Sequence, residues 1–238
     1  MIELLSQLPF MDERRAELVI SAFIPMLKAG FMYSIPLAII SFIFGLFIAI
    51  LVALVRISPK KGAISKGLFF IVRFYVSAIR GTPILVQIMV VFYGLPAIGI
   101  FLDPLPTAIV AFSLNVGAYA SESIRSAILS IPKGQWEAGF SIGMTYMQTF
   151  WRIIIPQASR TAIPPLSNIF ISLFKETSLA SVVTITELFR VAQQIANMSY
   201  DFLPVYIEAG LIYWAFCFVM FFAQDYIEAR VSKHVAKP

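Results

Sequence analysis

The fold is decided by an uncharged apolar run, AGFMYSIPLAIISFIFGLFIAILVALV, which extends from Ala29 to Val55. Its 27 residues exceed the ~20 that an α-helix needs to cross the hydrocarbon core of a bilayer. A second uncharged run, from Gly81 to Leu102, has 22 residues. The sequence therefore predicts an all-α protein that crosses a membrane several times.

The composition agrees with this prediction and excludes several classes of protein. Hydrophobic residues make up 59% of the 238-residue chain and charged residues 13%, whereas roughly a quarter of a soluble domain is charged. The chain has one cysteine, Cys217, and one histidine, His234. Neither an intrachain disulfide nor a zinc centre built from cysteine and histidine can form from these. We therefore expect no metal and no cofactor bound to this chain.

The positions of the basic residues predict the topology. Twelve of the 18 lysines and arginines lie in two connections between apolar runs and in the C-terminal tail: Arg56, Lys60, Lys61, Lys66, Arg73, Arg125, Lys133, Arg152, Arg160, Arg230, Lys233 and Lys237. Residues 95–107 contain none. Because lysine and arginine favour cytoplasmic loops, we expect a cytoplasmic C-terminus and an external N-terminus. The net charge of +5 is then topological, and we expect no nucleic-acid partner.

The pattern predicts about five membrane-spanning helices, at residues 31–55, 68–96, 107–129, 163–174 and 205–224. The fourth is short and is opened by Pro164 and Pro165. Residues 187–196 carry apolar side chains on one helical face, which predicts an amphipathic surface or re-entrant helix. The chain thus divides into an N-terminal amphipathic segment at 1–30, a transmembrane domain at 31–228 and a cytoplasmic tail at 229–238.

A long cytoplasmic loop, at about residues 131–158, separates the third and fourth predicted spans. Apolar residues recur in it at steps of three and four, which predicts short helices with an aromatic stripe: Trp136, Phe140, Gly143, Met147, Phe150, Trp151 and Ile154. The stripe packs either on the protein's own spans or in the groove of a partner. Gly143 is expected in the middle of a helix, where glycine costs ~1 kcal/mol relative to alanine.

Polar residues inside the spans are candidates for a transport pathway, because ionisable groups are costly in a bilayer. Arg80 precedes Gly81 and Pro83, which predict an interrupted helix whose freed carbonyl groups need partners. In the third span Asn115, Tyr119, Glu122 and Arg125 share one helical face. Glu122 and Arg125 could instead form a structural ion pair.

The loop resembles the EAA loop of ABC importer permeases, whose pattern is E-A-A, three residues, G, and later I-x-L-P. Gly139 stands where the pattern has its second alanine, and Ile155 where it has leucine. The resemblance implies a type I ABC importer permease fold and a coupling contact with an ATPase through Trp136, Glu137, Ala138, Gly139, Gly143 and Pro156.

Three further segments resemble the polar amino-acid branch of that family. Residues 80–87 are similar to its R-G-T-P-x-L-V-Q signature, residues 118–125 to A-Y-x-x-E-x-x-R, and residues 175–179 to K-D-T-S-L. The resemblance and the polar stripe together nominate a substrate pathway through Arg80, Thr82, Gln87, Asn115, Tyr119, Glu122, Lys175 and Ser178.

The amino-acid sequences of several segments resemble those of L-cystine permeases most. Relatives that carry cationic amino acids have glutamate at the place of Ile169, so the apolar side chain here disfavours a cationic substrate. We expect L-cystine, with another polar or zwitterionic amino acid such as glutamine as the alternative. Outside this class, an ion-coupled secondary transporter and a membrane-embedded enzyme stay open as alternatives.

The resemblance implies a multi-component importer in the bacterial cytoplasmic membrane. It implies a second permease subunit, which we expect to be another copy of this chain, two ATPase subunits that bind ATP and Mg, an external substrate-binding protein, and surrounding lipid. The chain has no Gly-Lys dipeptide and hence no Walker A phosphate loop. We therefore expect no enzymatic activity in this chain itself.

Overall fold

The computed structural model describes residues 12–58 and 62–232, and all regular secondary structure in these residues is helical. The α-helices are α1 Glu13–Ala29, α2 Ile35–Ile57, α3 Gly62–Arg80, α4 Ile84–Met89, α5 Pro104–Leu129, α6 Lys133–Ser141, α7 Tyr146–Thr149, α8 Ile155–Glu176, α9 Leu188–Ser199 and α10 Phe202–Ser232. Residues 1–11 of the predicted N-terminal segment and 233–238 of the predicted tail lie outside the described residues.

Helices α1 and α2 form one helical stretch of 45 residues. The side chain of Asp12 caps it by accepting a hydrogen bond from the backbone nitrogen of Arg15 at 2.8 Å. Between the two helices a π-helical turn spans Gly30–Ser34, and Pro36, which has no N–H to donate, is the second residue after it. The predicted boundary between amphipathic segment and first span, at residue 30, thus falls on a change of helical geometry within a continuous helix.

The second apolar region is interrupted where the sequence predicts. Helix α3 ends at Arg80, and α4 begins at Ile84, with Pro83 in an extended conformation between them. After α4 the helix widens into a π segment, Val90–Gly94, and then tightens into a 3₁₀ segment, Leu95–Ile98. The two halves together cover the predicted span at 68–96.

Helix α5 lies at the centre of the fold and packs most extensively against α2. Small residues let the two backbones approach closely. A Cβ atom on Gly45 would lie 2.5 Å from the Cβ of Val116, and one on Gly117 would lie 2.7 Å from Cγ2 of Ile48. Reciprocal close contacts of this kind are typical of helix pairs in membranes, where apolar burial alone does not drive association.

The fourth predicted span needs correction. Pro164 and Pro165 do not open a helix, because both lie inside α8, which begins at Ile155 and continues from the π segment Phe150–Ile154. After α8 a 3₁₀ segment, Thr177–Val183, leads to α9. The predicted amphipathic helix is confirmed as α9, and its apolar face packs against α1 and α10 inside the fold.

Three helical stretches of the described chain are long and apolar enough to cross a membrane: Glu13–Ile57, Gly62–Arg80 and Phe202–Val231. A fourth arises if the bent pair Tyr146–Val183 and Leu188–Ser199 is one span. Helix α5 has 26 residues, enough to span a bilayer, but buried polar residues such as Ser113 and Asn115 lower its apolarity. The count of five spans stays a prediction.

Candidate functional site

A polar cavity of about 450 Å³ lies between α5, α8 and the interruption that follows α3. Its volume is in the range of small-molecule binding pockets, ~300–1,000 Å³. Its walls are formed by Thr82, Pro83, Ile84, Asn115, Val116, Tyr119, Asn168, Ile169, Ser172, Leu173 and Glu176. Three residues predicted for the pathway, Thr82, Asn115 and Tyr119, therefore meet in one cavity.

The helix interruption supplies one wall of this polar cavity, and Gln87 holds that wall in place. The side-chain nitrogen of Gln87 donates to the carbonyl oxygen of Ile79 at 2.8 Å and to that of Thr82 at 3.0 Å. Its oxygen accepts from Nδ2 of Asn115 at 3.0 Å. Gln87 thus partners the carbonyl groups freed by the break and fixes α5 to them. The predicted residue lies behind the cavity wall, where its contacts position other groups.

Glu176 is the single carboxylate on the wall of the polar cavity. It forms no ion pair among the described residues. On the same wall Ile169 presents an apolar side chain. The cavity therefore offers one negative charge, together with hydroxyl and amide groups that can accept or donate hydrogen bonds.

Sequence reasoning nominated Lys175 rather than Glu176. Lys175 and Ser178 line neither the polar cavity nor a second cavity between α2, α3 and α5. The signal for Glu176 was helical spacing, since it follows Asn168 by eight residues and Ser172 by four and so shares their face of α8.

A second cavity, of about 480 Å³, opens between α2, α3 and α5. We call it the arginine vestibule, and its lining residues are Arg56, Arg73, Val76, Ser77, Arg80, Gly81, Tyr119 and Glu122. Within it the carboxylate of Glu122 forms ion pairs with Arg56 and, at 3.3 Å, with Arg80. The alternative predicted from sequence, a pair with Arg125, is present at the longer distance of 3.9 Å.

Arg56 is the partner of Glu122 that the sequence did not reveal. It lies 66 positions away from Glu122, at the end of α2, and its charge was interpreted only as a topology signal. No spacing rule connects the two, because only the packing of α2 on α5 brings them together.

Tyr119 belongs to the walls of both cavities and so separates them. The guanidinium carbon of Arg80 lies 5.5 Å from the centre of the Tyr119 ring, a cation–π distance. Tyr119 itself is 40% exposed. The polar cavity and the arginine vestibule are therefore neighbours with one aromatic side chain between them.

The aromatic stripe of the loop at 131–158 is partly packed and partly exposed: Trp136 and Phe150 pack with residues of α2 and α5, as the first alternative predicts, and docking in a partner's groove stays a prediction. The Trp136 ring stacks on Tyr146 with centroids 5.1 Å apart, and on Phe150 at 6.2 Å, so part of the stripe packs within the loop. Other large apolar residues stay exposed on it: Phe140, Ile142, Met147 and Trp151. Glu137, Ala138 and Pro156 are also exposed. The loop therefore has an ordered interior and an unoccupied apolar surface.

Two of the three glycines of the loop, Gly139 and Gly143, have distinct structural roles, and that of Gly143 differs from expectation. Gly143 does not lie in mid-helix, because it has a φ of +80° just after the end of α6 and is exposed. The left-handed conformation ends the helix there, as glycine commonly does. Gly139 is buried, and a Cβ atom on it would lie 2.6 Å from Cγ2 of Thr149. This contact explains why glycine replaces the second alanine of the E-A-A pattern.

No group of three or more histidine, cysteine, aspartate or glutamate residues within 12–58 and 62–232 is arranged to hold a metal ion. The cysteine, Cys217, is buried in α10 as a free thiol.

Comparison with known proteins identifies the family. Residues 63–233 match the family described as the binding-protein-dependent transport system inner membrane component. The chain is 54% identical over 222 residues to the L-cystine transport system permease protein TcyB of Bacillus subtilis (strain 168), covering 93% of each protein. It is 38% identical to the probable glutamine ABC transporter permease protein GlnP of the same organism, covering 84% of this chain and 91% of GlnP.

Solved structures agree. An amino acid ABC transporter with histidines superposes with a TM-score of 0.76 at 30% identity, covering 91% of this chain and 95% of that one. The inward-facing methionine transporter MetNI shares the fold, with a TM-score of 0.67 at 20% identity, covering 94% of this chain and 100% of that one. The chain therefore belongs to the binding-protein-dependent transport system inner membrane components, as the permease subunit of an amino-acid ABC importer.

Proposed function

We propose that this permease carries a zwitterionic amino acid, L-cystine first among them, from the cell exterior into the cytoplasm. The observation that carries the proposal is the polar cavity, in which Glu176 is the only acidic residue of the lining. The 54% identity to an L-cystine permease supports the choice of substrate. Ile169 on the wall leaves the cavity with no second carboxylate, which supports exclusion of a substrate with net positive charge.

The cavity groups match the two charged ends of an amino acid. Glu176 is suited to accept hydrogen bonds from an α-ammonium group, and such charge-assisted bonds are stronger than neutral ones. The Ser172 hydroxyl and the Asn168 amide on the same wall are suited to donate to an α-carboxylate. Ile169 and Leu173 then lie against the apolar part of the substrate.

Transport is proposed to follow alternating access in a complex of two copies of this chain. The exposed loop residues, among them Glu137, Phe140 and Trp151, form the surface on which the ATPase docks. Two ATPase subunits supply hydrolysis with their own ATP and Mg, and an external binding protein delivers the substrate. Closure of the ATPases moves the loops and switches the direction in which the polar cavity opens.

Reconstituted transport tests the proposal. The complex of permease, ATPase and binding protein is placed in liposomes, and uptake of radiolabelled L-cystine is followed with and without ATP. We expect ATP-dependent uptake that excess glutamine inhibits weakly and excess arginine does not inhibit. Uptake by the permease alone would overturn the ABC mechanism, and preference for arginine would overturn the proposed substrate class.

A further inference from the structure

We propose that the arginine vestibule is a second binding station, an anion site that receives the α-carboxylate of the amino acid on its way from the polar cavity to the cytoplasm. This inference rests on the proposed function for the identity of the ligand. The existence of an anion site is argued from the volume of the vestibule, from the charges that line it and from its position beside Tyr119.

The charges of the vestibule do not balance. Arg56, Arg73 and Arg80 line it, and Arg125 lies beside them, whereas Glu122 is its only acidic residue. One carboxylate has about four acceptor sites, while each guanidinium carries five N–H donors. Donors therefore remain for a further anion after Glu122 has been bound.

Arg73 is the clearest case of an arginine whose N–H donors remain available. It lines the vestibule but forms no ion pair among the described residues, unlike Arg56 and Arg80. Arginine between membrane helices is costly unless it faces a partner or a water-filled cavity. A transient carboxylate in the vestibule is a partner with the geometry that guanidinium groups bind best.

The path from the polar cavity leads directly to these donors. Arg80 and Thr82 are separated by one residue, Gly81, yet Arg80 lines the vestibule and Thr82 the polar cavity. The Arg80 guanidinium lies over the face of Tyr119, the side chain that the two cavities share. A carboxylate that passes Tyr119 therefore comes close to Arg80, and Arg73 lines the same vestibule.

The vestibule also adds to substrate selection. Its net positive charge attracts a carboxylate and repels a substrate with an excess of positive charge. A net cationic amino acid that entered the polar cavity would meet this repulsion at the exit. Selection against cationic substrates thus has two independent origins, Ile169 in the polar cavity and the arginines of the vestibule.

A cysteine reporter tests the anion site without assuming a substrate. In the full complex, Cys217→Ala removes the native thiol, and Ser77→Cys places one on the vestibule wall. We compare its modification rate by a sulfonate-bearing and a trimethylammonium-bearing methanethiosulfonate. We expect the anionic reagent to react about tenfold faster, relative to a free thiol, and this preference to fall severalfold in Arg73→Gln.

The matched control is Lys66→Gln, which removes the same charge from the same helix, two turns away from the vestibule. We expect it to leave the reagent preference within twofold of the parent. Equal effects of Lys66→Gln and Arg73→Gln, or no preference for the anionic reagent, would overturn the anion site.

Protection experiments then identify the ligand. L-cystine is expected to slow the anionic reagent reversibly, leaving the reporter thiol unmodified after wash-out, which separates binding from disulfide exchange with the thiol. Its dimethyl ester, which lacks free carboxylates, is expected to give no such reversible slowing. The measurement is made in phosphatidylcholine vesicles and in vesicles with added phosphatidylglycerol. Protection that needs phosphatidylglycerol and is indifferent to L-cystine would assign the site to a lipid phosphate and overturn the proposal. A parent complex that retains the reagent preference but transports no L-cystine would overturn only the proposed function.

Discussion

Glu176 is the residue of the polar cavity on which we expect substrate binding to depend most. It supplies the one negative charge on the wall, and it forms no ion pair among the described residues that would compete with a substrate. Its neighbour Lys175 is exposed and lies outside both cavities. Of these two adjacent charged residues, only Glu176 lines the polar cavity.

Replacing Glu176 by glutamine keeps the shape of the side chain and removes its charge. A hydrogen bond to a charged group contributes about 1.5–3 kcal/mol. We therefore expect Glu176→Gln to raise the KM for L-cystine uptake by about tenfold or more, because 1.4 kcal/mol corresponds to tenfold. Radiolabelled uptake at several substrate concentrations measures this. Lys175→Gln is the control, and a similar KM in the two variants would contradict the role of Glu176.

Ile169 tests the specificity of the same cavity from the opposite direction. Ile169→Glu places a second carboxylate on the wall, where the side chain now is apolar. We expect uptake of arginine to become detectable, because a second carboxylate on the wall favours a substrate with net positive charge, and uptake of the net-neutral L-cystine to fall, because the same carboxylate repels its carboxylate groups. Competition between the two amino acids measures the change. A variant that folds, retains L-cystine uptake and gains no affinity for arginine would show that Ile169 does not select charge.

These two residues also show how far side-chain function could be predicted. Ile169 was singled out because relatives that carry cationic amino acids have glutamate at its place, and it lines the polar cavity. Glu176 was passed over, because the neighbouring lysine carried the motif and only the direction of α8 shows which of the two faces the cavity. A motif predicts the segment, but helix rotation decides between adjacent residues.

At the scale of elements, the interruption between α3 and α4 could be predicted from the sequence, whereas the hydrogen bonds that satisfy its free carbonyl groups could not. Gly81 and Pro83 predicted the break from their backbone properties alone. The sequence did not show that Gln87 returns across the break to donate to the Ile79 and Thr82 carbonyl groups. That contact depends on the angle between two helices, which local propensity does not determine.

Gln87→Leu tests whether the interruption needs the hydrogen bonds of Gln87. The substitution has a similar volume but leaves the two carbonyl groups and the Asn115 amide without their partner. An unsatisfied buried polar group costs about 1–3 kcal/mol, so we expect a clear loss of thermal stability in detergent. Gln135→Leu, at an exposed position in the loop, is expected to change stability little. Equal melting temperatures for the two variants would mean that the break does not need Gln87.

The coupling loop offers a second test at this scale. Gly143→Ala forces a side chain into a left-handed conformation at the end of α6, at a cost of about 1–2 kcal/mol. Since this turn sets the direction from α6 to α7, we expect a reduced stimulation of ATP hydrolysis by substrate, with the protein still inserted. Gly134→Ala lies in the same helix, meets nothing within 4 Å and has no positive φ. A loss of stimulation in both variants alike would argue against the turn.

The whole molecule follows the sequence most closely in its apolar regions and least closely in its boundaries. The long run at 29–55 was sufficient to predict a membrane helix, yet it gave no sign that this helix continues without a break from Glu13. The run at 163–174, extended somewhat on either side, was predicted as a short span opened by Pro164 and Pro165, because proline often marks the beginning of a helix. Here neighbouring helices accommodate them inside α8, which a single sequence cannot show.

The topology of five spans is a prediction about the whole molecule that thiol labelling can test. In the Cys217→Ala background, single cysteines are introduced at exposed positions by Phe101→Cys, Gly134→Cys and Met198→Cys. Each lies in a different connection. Because the basic connections are expected inside, a membrane-impermeant maleimide added to intact cells should label Phe101→Cys and Met198→Cys. Gly134→Cys should react only after the membrane has been opened.

The pattern of labelling distinguishes the alternatives. If α8 and α9 form a re-entrant element rather than a span, Met198→Cys will be protected in intact cells and labelled from inside together with Gly134→Cys. Labelling of Gly134→Cys in intact cells would place the loop outside, where no ATPase can reach it, and would contradict the orientation on which coupling depends. Phe101→Cys is the internal reference, since the uncharged connection at 95–107 has the simplest prediction of the three.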